Sequence, residues 1–286
     1  MKPLADWPAA ERGQIAGVFT DIDDTLTTHG VVTPDAMQAL RDLKAAGLVV
    51  IPITGRHIGW CEPLMTGNLK RAIPPWPTDA MVAENGALAL IPNLESSDKK
   101  RPQRPSDKRQ SLSKIYQQDA STRSAHRLHM EQVAAQVLTQ VPGVLRARDE
   151  GGRETDLAFD YNEFAKLPPE GVQQVLAILQ AAGMYTTVSS IHIHGCFGNF
   201  NKWQGAQWIV RELFQRDLAQ ELDRWVFVGD SGNDQAMFEH FSHSFGVANI
   251  AQFAPQMQHL PRYVAPSERG AGFAEVARAI LETRKG

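Results

Sequence analysis

Apolar and polar positions follow two different periods along this chain, and the change of period divides it. A short apolar run, Ile15 to Phe19, has the length and β-branched character of a buried strand. Helical spacing follows: Ala36, Ala39, Leu40 and Leu43 share a face, Thr33 stands at the N-cap, Pro34 takes the first turn and Gly47 closes it. A second unbroken apolar run extends from Leu48 to Ile53. Strand, helix and strand of this kind predict a βαβ unit, hence a parallel sheet covered on both faces. Ile58 to Arg71 predicts a further helix, interrupted or started by Pro63. The parallel pattern returns late in the chain. Trp225 to Val228 predicts a buried strand, with Ala236, Met237 and Phe241 inward on the next helix. Ser244–Asn249 and Tyr263-Val264 read as short strands, and a helix from about Ala271 to Thr283 ends the pattern.

Between these halves the period changes. Ala80 to Ile91 reads as a hairpin turning at Asn85-Gly86, and a domain boundary is expected there. From Pro92 to about Arg127 the chain is polar, with a basic cluster of Lys99, Lys100, Arg101, Arg104, Lys108 and Arg109. That cluster reads either as an anion-steering loop or as a solvated insertion. A helix then runs to Gln140, with His126 and His129 on its surface. Asp156 to Phe164 reads as a half-covered strand, followed by a helix from Pro168-Pro169 to Gly183. Tyr185 to His194 reads as one strand that puts His192 and His194 on the same face, lining a pocket or filling a polar surface. The expectation is an α/β fold: a Rossmann-like parallel-sheet core of residues 1–85 and 196–286, with residues 86–195 inserted as an α+β cap.

Composition changes this picture little. Hydrophobic content of 43% and charged content of 21% are ordinary for a globular chain, and the net charge of −3 gives no electrostatic reason to expect nucleic acid or membrane as a partner. Residues 1–13 lack the apolar core of a secretory signal, and no window has the ~18 apolar residues of a membrane span. Cys61 and Cys196 match no metal or redox spacing and read as reduced thiols. A cytoplasmic protein with a small-molecule partner is expected; the sequence leaves oligomeric state open.

The candidate chemistry lies at the strand ends. Asp21, Asp23 and Asp24 follow the first strand, Thr54, Gly55 and Arg56 the second, and Asp230 and Asp234 the Trp225–Val228 strand, while Lys202 opens a helix. In parallel sheets, ligands bind beyond the carboxyl ends of the strands, so Asp21, Asp23, Thr54, Lys202, Asp230 and Asp234 would converge on one rim. Taken alone, Thr54 reads as a turn residue and Lys202 as an exposed lysine. Together with the carboxylates they supply hard oxygen ligands for Mg²⁺ and donors for a phosphate, a mixture suited to phosphoryl transfer. Asp21 would attack as nucleophile, and Asp23 could protonate the leaving oxygen and then deprotonate water. No Walker-A loop and no Gly-x-Ser-x-Gly elbow is present.

The segments DIDDT, ITGR, the lysine of FNKW, and GDSGND, in that order, resemble the four motifs of the haloacid dehalogenase-like superfamily. The resemblance implies a Mg²⁺-dependent phosphatase on a Rossmann-like core. It assigns Asp21 as nucleophile and metal ligand, and Asp23 as acid/base and carbonyl ligand. Thr54, Gly55 and Lys202 become phosphate-binding, Asp230 a metal ligand, and Asp234 a ligand or an outer carboxylate, with Ser231 and Asn233 beside them. Asp24 stands where the family usually has Gly. An insertion between the second and third motifs, entered at Glu84-Asn85-Gly86, is similar to the C2 caps of subclass IIB, whose members include sugar phosphatases and a phosphomannomutase branch. The implied reaction is hydrolysis of a sugar phosphate; the alternatives are a sugar phosphomutase and a non-catalytic sensor of phosphorylated ligands.

Overall fold

The computed structural model describes residues 1–67, 74–93 and 111–284; the basic cluster at 99–109 and the end of the helix expected to reach Arg71 lie outside them. Six strands make one parallel sheet in the order Lys2–Pro3, Tyr263–Val264, His243–Gly246, Trp225–Gly229, Gly17–Thr20 and Val49–Pro52. Successive residues feed opposite faces, as strand geometry requires. Val18, Val50, Val226 and Val228 join one apolar cluster with Leu40 and Leu43 of the Pro34–Ala45 helix and Phe273 and Ile280 of the Arg269–Glu282 helix. Phe19, Ile51, Trp225 and Phe227 join another with Ile209 and Val210 of the Lys202–Phe214 helix and Met237 of the Gln235–His240 helix. Each such buried side chain contributes about 1.5–3 kcal/mol. Their sum offsets the several kcal/mol that each charge buried at the rim costs. The expected α/β fold with its Rossmann-like parallel core is therefore the one formed.

The expected helix face of Ala36, Ala39, Leu40 and Leu43 is buried, but the Thr33 side chain makes no capping bond; its hydroxyl is buried without a partner among the described residues. The hairpin forms from Met81–Ala83 and Leu88–Pro92, with Leu112–Tyr116 added to its far side. It does not leave the core: Ile53 bridges to Val82, and Leu88 and Leu90 join the same cluster as Val18. The region with an apolar cluster of its own starts at the Ala120–Gln140 helix.

There an antiparallel sheet, in the order Tyr185–Val188, His192–Cys196, Asp156–Asp160 and Leu145–Arg146, carries the Ala120–Gln140 and Pro169–Ala181 helices on one face. Two expectations change here. Asp156–Asp160 is buried along its whole length rather than half-covered. Tyr185 to His194 is two paired strands joined by Ser189-Ser190-Ile191, not one strand. Leu157, Phe159 and Ile193 pack toward the helices, so His192, His194, Asp156 and Asp160 fall on the opposite face. No helix among the described residues is long and apolar enough to cross a membrane.

Candidate active site

The Gly17–Thr20 strand lies between the Trp225–Gly229 and Val49–Pro52 strands in parallel register, with Thr20 opposite both Val228 and Pro52. The residues after these strands therefore emerge side by side. Carboxylate oxygens of Asp21, Asp230 and Asp234 lie within 4.8 Å of one another, and all three residues are buried. Lys202, with no exposed surface, donates to Asp21 Oδ1 and to Asp234 Oδ1, the latter at 2.7 Å. The exposed lysine that the sequence alone allowed is thus excluded. Its helix is capped by Asn201, whose side chain accepts from the Gln204 N–H, and packs closely on the hairpin turn. A Cβ on Gly205 would lie 2.5 Å from Gly86 Cα, so a glycine pair is what lets the helix bring Lys202 to the rim.

Asp234 is fully engaged: its Oδ2 accepts from the Asp230 and Ser231 N–H groups at 2.8 and 3.0 Å, and its Oδ1 from Lys202. Asp230 is held less firmly, by the Thr25 hydroxyl at 3.3 Å and Asn249 Nδ2 at 3.2 Å. Burial pushes the Asp21 carboxyl up to about 7; Lys202 opposes this, while Asp234 and Asp23 add to it. Burial pushes Asp230 well up too, reinforced by Asp21, Asp234 and Asp24. On Lys202, burial is outweighed by the charges of Asp21 and Asp234, so the ammonium stays protonated. Three buried carboxylates facing one ammonium make a hard, electron-rich oxygen set of the kind a divalent cation satisfies. These residues fit a metal.

Thr54 Oγ1 accepts from the Arg56 N–H at 3.0 Å, which leaves its hydroxyl proton free to donate into the site. Asn233 donates to Asn85 Oδ1 at 2.9 Å and accepts from the Ser231 hydroxyl at 3.2 Å. Asp24 takes a backbone φ of +54°, the left-handed conformation that glycine adopts most readily, and its carboxylate accepts from Arg269 Nε at 2.9 Å. The structure thus brings Asp21, Asp23, Thr54, Gly55 and Asn233 to one small cavity, with Lys202, Asp230, Asp234 and Ser231 packed behind.

Several site residues were not singled out from the sequence. Arg56 holds Asp23 in a two-pronged pair, Nε to Oδ2 at 2.9 Å and Nη2 to Oδ1 at 3.0 Å, and donates to Glu163 Oε1 at 2.8 Å. Glu163 Oε2 is 2.9 Å from His192 Nε2. Burial raises Glu163, but the His192 hydrogen bond and the Arg56 charge outweigh it and hold the carboxyl at about 2. Beside this chain, Arg153 Nη1 bonds Asp156 at 2.9 and 3.2 Å and the Gly55 carbonyl at 3.0 Å, while its Nη2 bonds both oxygens of Asp149. Burial lifts Asp156 to about 6 against the Arg153 charge, so it is ionised at neutral pH. Glu84 accepts from the Glu154 and Thr155 N–H groups and the Thr155 hydroxyl; burial, with repulsion from Asp156, lifts it to about 7. The ITGR segment offered Arg56 as a signal. Arg153, Asp156 and Glu163 carried none: Arg153 meets Asp149 and Asp156 only four and three residues away through an irregular stretch, and Glu163 meets Arg56 and His192 from distant parts of the chain. His126 and His129 stack on Phe197 and stand away from the site, as expected of surface residues.

A family model described as haloacid dehalogenase-like hydrolase matches residues 18–133. No curated protein matches the chain. Among solved structures, it is similar to the sucrose-phosphatase of Synechocystis determined with sucrose and phosphate, at 15% identity and a TM-score of 0.63, covering 93% of this chain and 98% of that one. A HAD/COF-like hydrolase candidate from Plasmodium vivax is similar at 16% identity and a TM-score of 0.63, covering 96% and 99%. A sugar phosphatase of subclass IIB is similar at 15% identity and a TM-score of 0.58, covering 93% and 98%. These likenesses support the fold.

Proposed function

Starting from the match of residues 18–133 to the haloacid dehalogenase-like hydrolase model, we propose that the chain is a Mg²⁺-dependent phosphomonoesterase of that family acting on a phosphorylated sugar or sugar derivative. The observation that carries this is Lys202, wholly buried and bonded at once to Asp21 and Asp234, beside an Asp23 held by Arg56. Ionic chemistry of this density at the rim of a parallel sheet is costly and has little use as packing.

Asp21 attacks phosphorus and forms an aspartyl-phosphate, while the ester oxygen leaves with a proton from Asp23. Asp23, now a base, takes a proton from water as its oxygen attacks the same phosphorus, and Asp21 is released with inorganic phosphate. Thr54 and Lys202 donate to the phosphoryl oxygens, and the two prongs of Arg56 keep Asp23 aimed at the ester. Asp21 and Asp230 would hold the cation, with Asp234 orienting them from behind; when bound, its charge offsets that of the phosphoryl oxygens.

A cleft of about 380 Å³ adjoins the catalytic cavity and shares Ser189 and Asn233 with it. Its walls include Gln173, Gln180, Gln235, Gln256, Asn201 and Thr187, and no charged side chain among the described residues. Uncharged amides and hydroxyls suit a neutral, hydroxylated leaving group, which supports the sugar reading. The substrate-facing cap is then the part of residues 86–195 with its own apolar cluster, and residues 1–85 and 196–286, together with the Leu88–Pro92 and Leu112–Tyr116 strands, form the catalytic core. A cytoplasmic location belongs to the same reading, supported by two buried free thiols, Cys61 and Cys196. A screen of purified protein against phosphorylated metabolites and p-nitrophenyl phosphate tests it. Sustained phosphate release without an added sugar bisphosphate is expected; release only in the presence of a bisphosphate would instead indicate a mutase.

A further inference from the structure

His194 sits on the cap strand facing the core and is 3% exposed. Its Nδ1 lies 2.9 Å from Asp156 Oδ2, on the carboxylate that Arg153 also grips. Paired in this way, Nδ1 carries the proton and Nε2 presents its lone pair. Burial first, then the nearby charges of Arg153 and His192, drives the imidazole pKa well down, so the ring is neutral. Nε2 is buried and has no hydrogen-bond partner among the described residues. Of the buried side-chain atoms in that condition, it is the one on the wall of the cavity that holds Asp21 and Asp23. The ring also lies against the phosphate-binding segment: a Cβ on Gly55 would come within 3.0 Å of Nε2, so glycine there makes room for the imidazole.

A buried acceptor oriented by a second residue and left without a donor is a site for a ligand's donor. The phosphoryl group of a monoester dianion has none to offer; a hydroxyl on the leaving group has. We propose that His194 reads the leaving group, its Nε2 accepting a hydrogen bond from a hydroxyl one or two carbons from the ester oxygen. This rests on the phosphatase reading and deepens it: the substrate class is a phosphate ester of a polyhydroxy alcohol bearing a free hydroxyl next to the ester. His194 is then a specificity-determining residue, and Asp156, with Arg153 behind it, positions it.

The test compares kcat/KM on glycerol 1-phosphate and n-propyl phosphate, which differ in their hydroxyls, for the wild type, His194→Phe and His194→Gln, with p-nitrophenyl phosphate as a third ester. Thermal melting and circular dichroism report folding of each variant. The wild type should prefer glycerol 1-phosphate by about tenfold, the effect of one neutral hydrogen bond. His194→Phe should bring that ratio near one, and His194→Gln, whose amide oxygen can stand close to the Nε2 position, should keep most of it. A ratio unchanged in His194→Phe, a parallel fall on both esters, or a wild type that hydrolyses p-nitrophenyl phosphate with no preference between the two would overturn the proposal alone. A wild type that hydrolyses none of the three esters would overturn the phosphatase reading and this proposal with it.

Discussion

Two buried clusters of charge adjoin the cavity, and they are built differently. On the side of the proposed cap, Arg153 spreads its N–H groups over Asp149, Asp156 and a backbone carbonyl, and Glu84, reaching over from the core hairpin, accepts from the Glu154 and Thr155 N–H groups and the Thr155 hydroxyl. On the core side, Asp21, Asp230 and Asp234 crowd together with one ammonium among them, and the Asp230 carboxylate keeps only two long contacts, among the described residues. The first arrangement is satisfied by the protein itself. The second is short of positive charge, which the proposed cation would supply. A buried cluster that closes its own hydrogen bonds serves the fold, whereas one left short of charge serves a ligand.

The contrast can be broken first at Asp21. Asp21→Asn removes a negative charge from a crowded site, so the metal-free protein should melt at an equal or higher temperature. Turnover of p-nitrophenyl phosphate should fall by about three orders of magnitude or more. Near-wild-type turnover would remove Asp21 from the role of nucleophile. Arg153→Met should do the reverse. It strands Asp149 and Asp156 without their cation, which should cost about 3–5 kcal/mol and show as a clear drop in melting temperature. An unchanged melting curve would mean that the cap cluster is not structural.

Arg56 pairs with Asp23 beside the core cluster and stands 4.0 Å from Asp149 of the cap cluster. Arg56→Lys replaces a fork by a point charge and loosens Asp23 without emptying the site. A fall in kcat of roughly 10–100-fold with a smaller change in KM is expected from misaimed acid/base chemistry. An equal loss through KM alone would make Arg56 a substrate-binding residue.

The smallest effect concerns Glu84. Its folded-state pKa of about 7 lies above its ordinary 4.5, so between those values the folded protein holds the proton more tightly than the unfolded chain does. Stability from this group is therefore present at low pH and is lost as pH rises from 4.5 through 7. Glu84→Gln should flatten that decline by at most about 3–4 kcal/mol. Denaturant unfolding at several pH values measures it, and an identical slope in the variant would place the ionisation elsewhere.

The same contrast explains what the sequence made legible. Asp21, Thr54 and Asp230 could be found because each directly follows an apolar strand, and parallel register then brings strand ends together. Lys202 was legible as the start of a helix, but its burial depends on Gly86 and Gly205, which lie far apart in the chain. On the cap, Ser189 to Ile191 turns the chain without glycine or proline, so two strands read as one. Asp156 and Asp160 sit inside an apolar strand where charge suggests solvent, and Arg153, His194 and the backbone donors to Asp160 explain their burial. Side chains whose reason for being buried is a partner elsewhere in the chain leave no periodic mark.

The most direct test of the central claim is the initial rate of phosphate release from p-nitrophenyl phosphate by thoroughly chelated wild-type protein as Mg²⁺ is added back. No release without metal and a saturable return with Mg²⁺ are the results expected if the acidic cluster is completed by a cation. Turnover undiminished by chelation would contradict it.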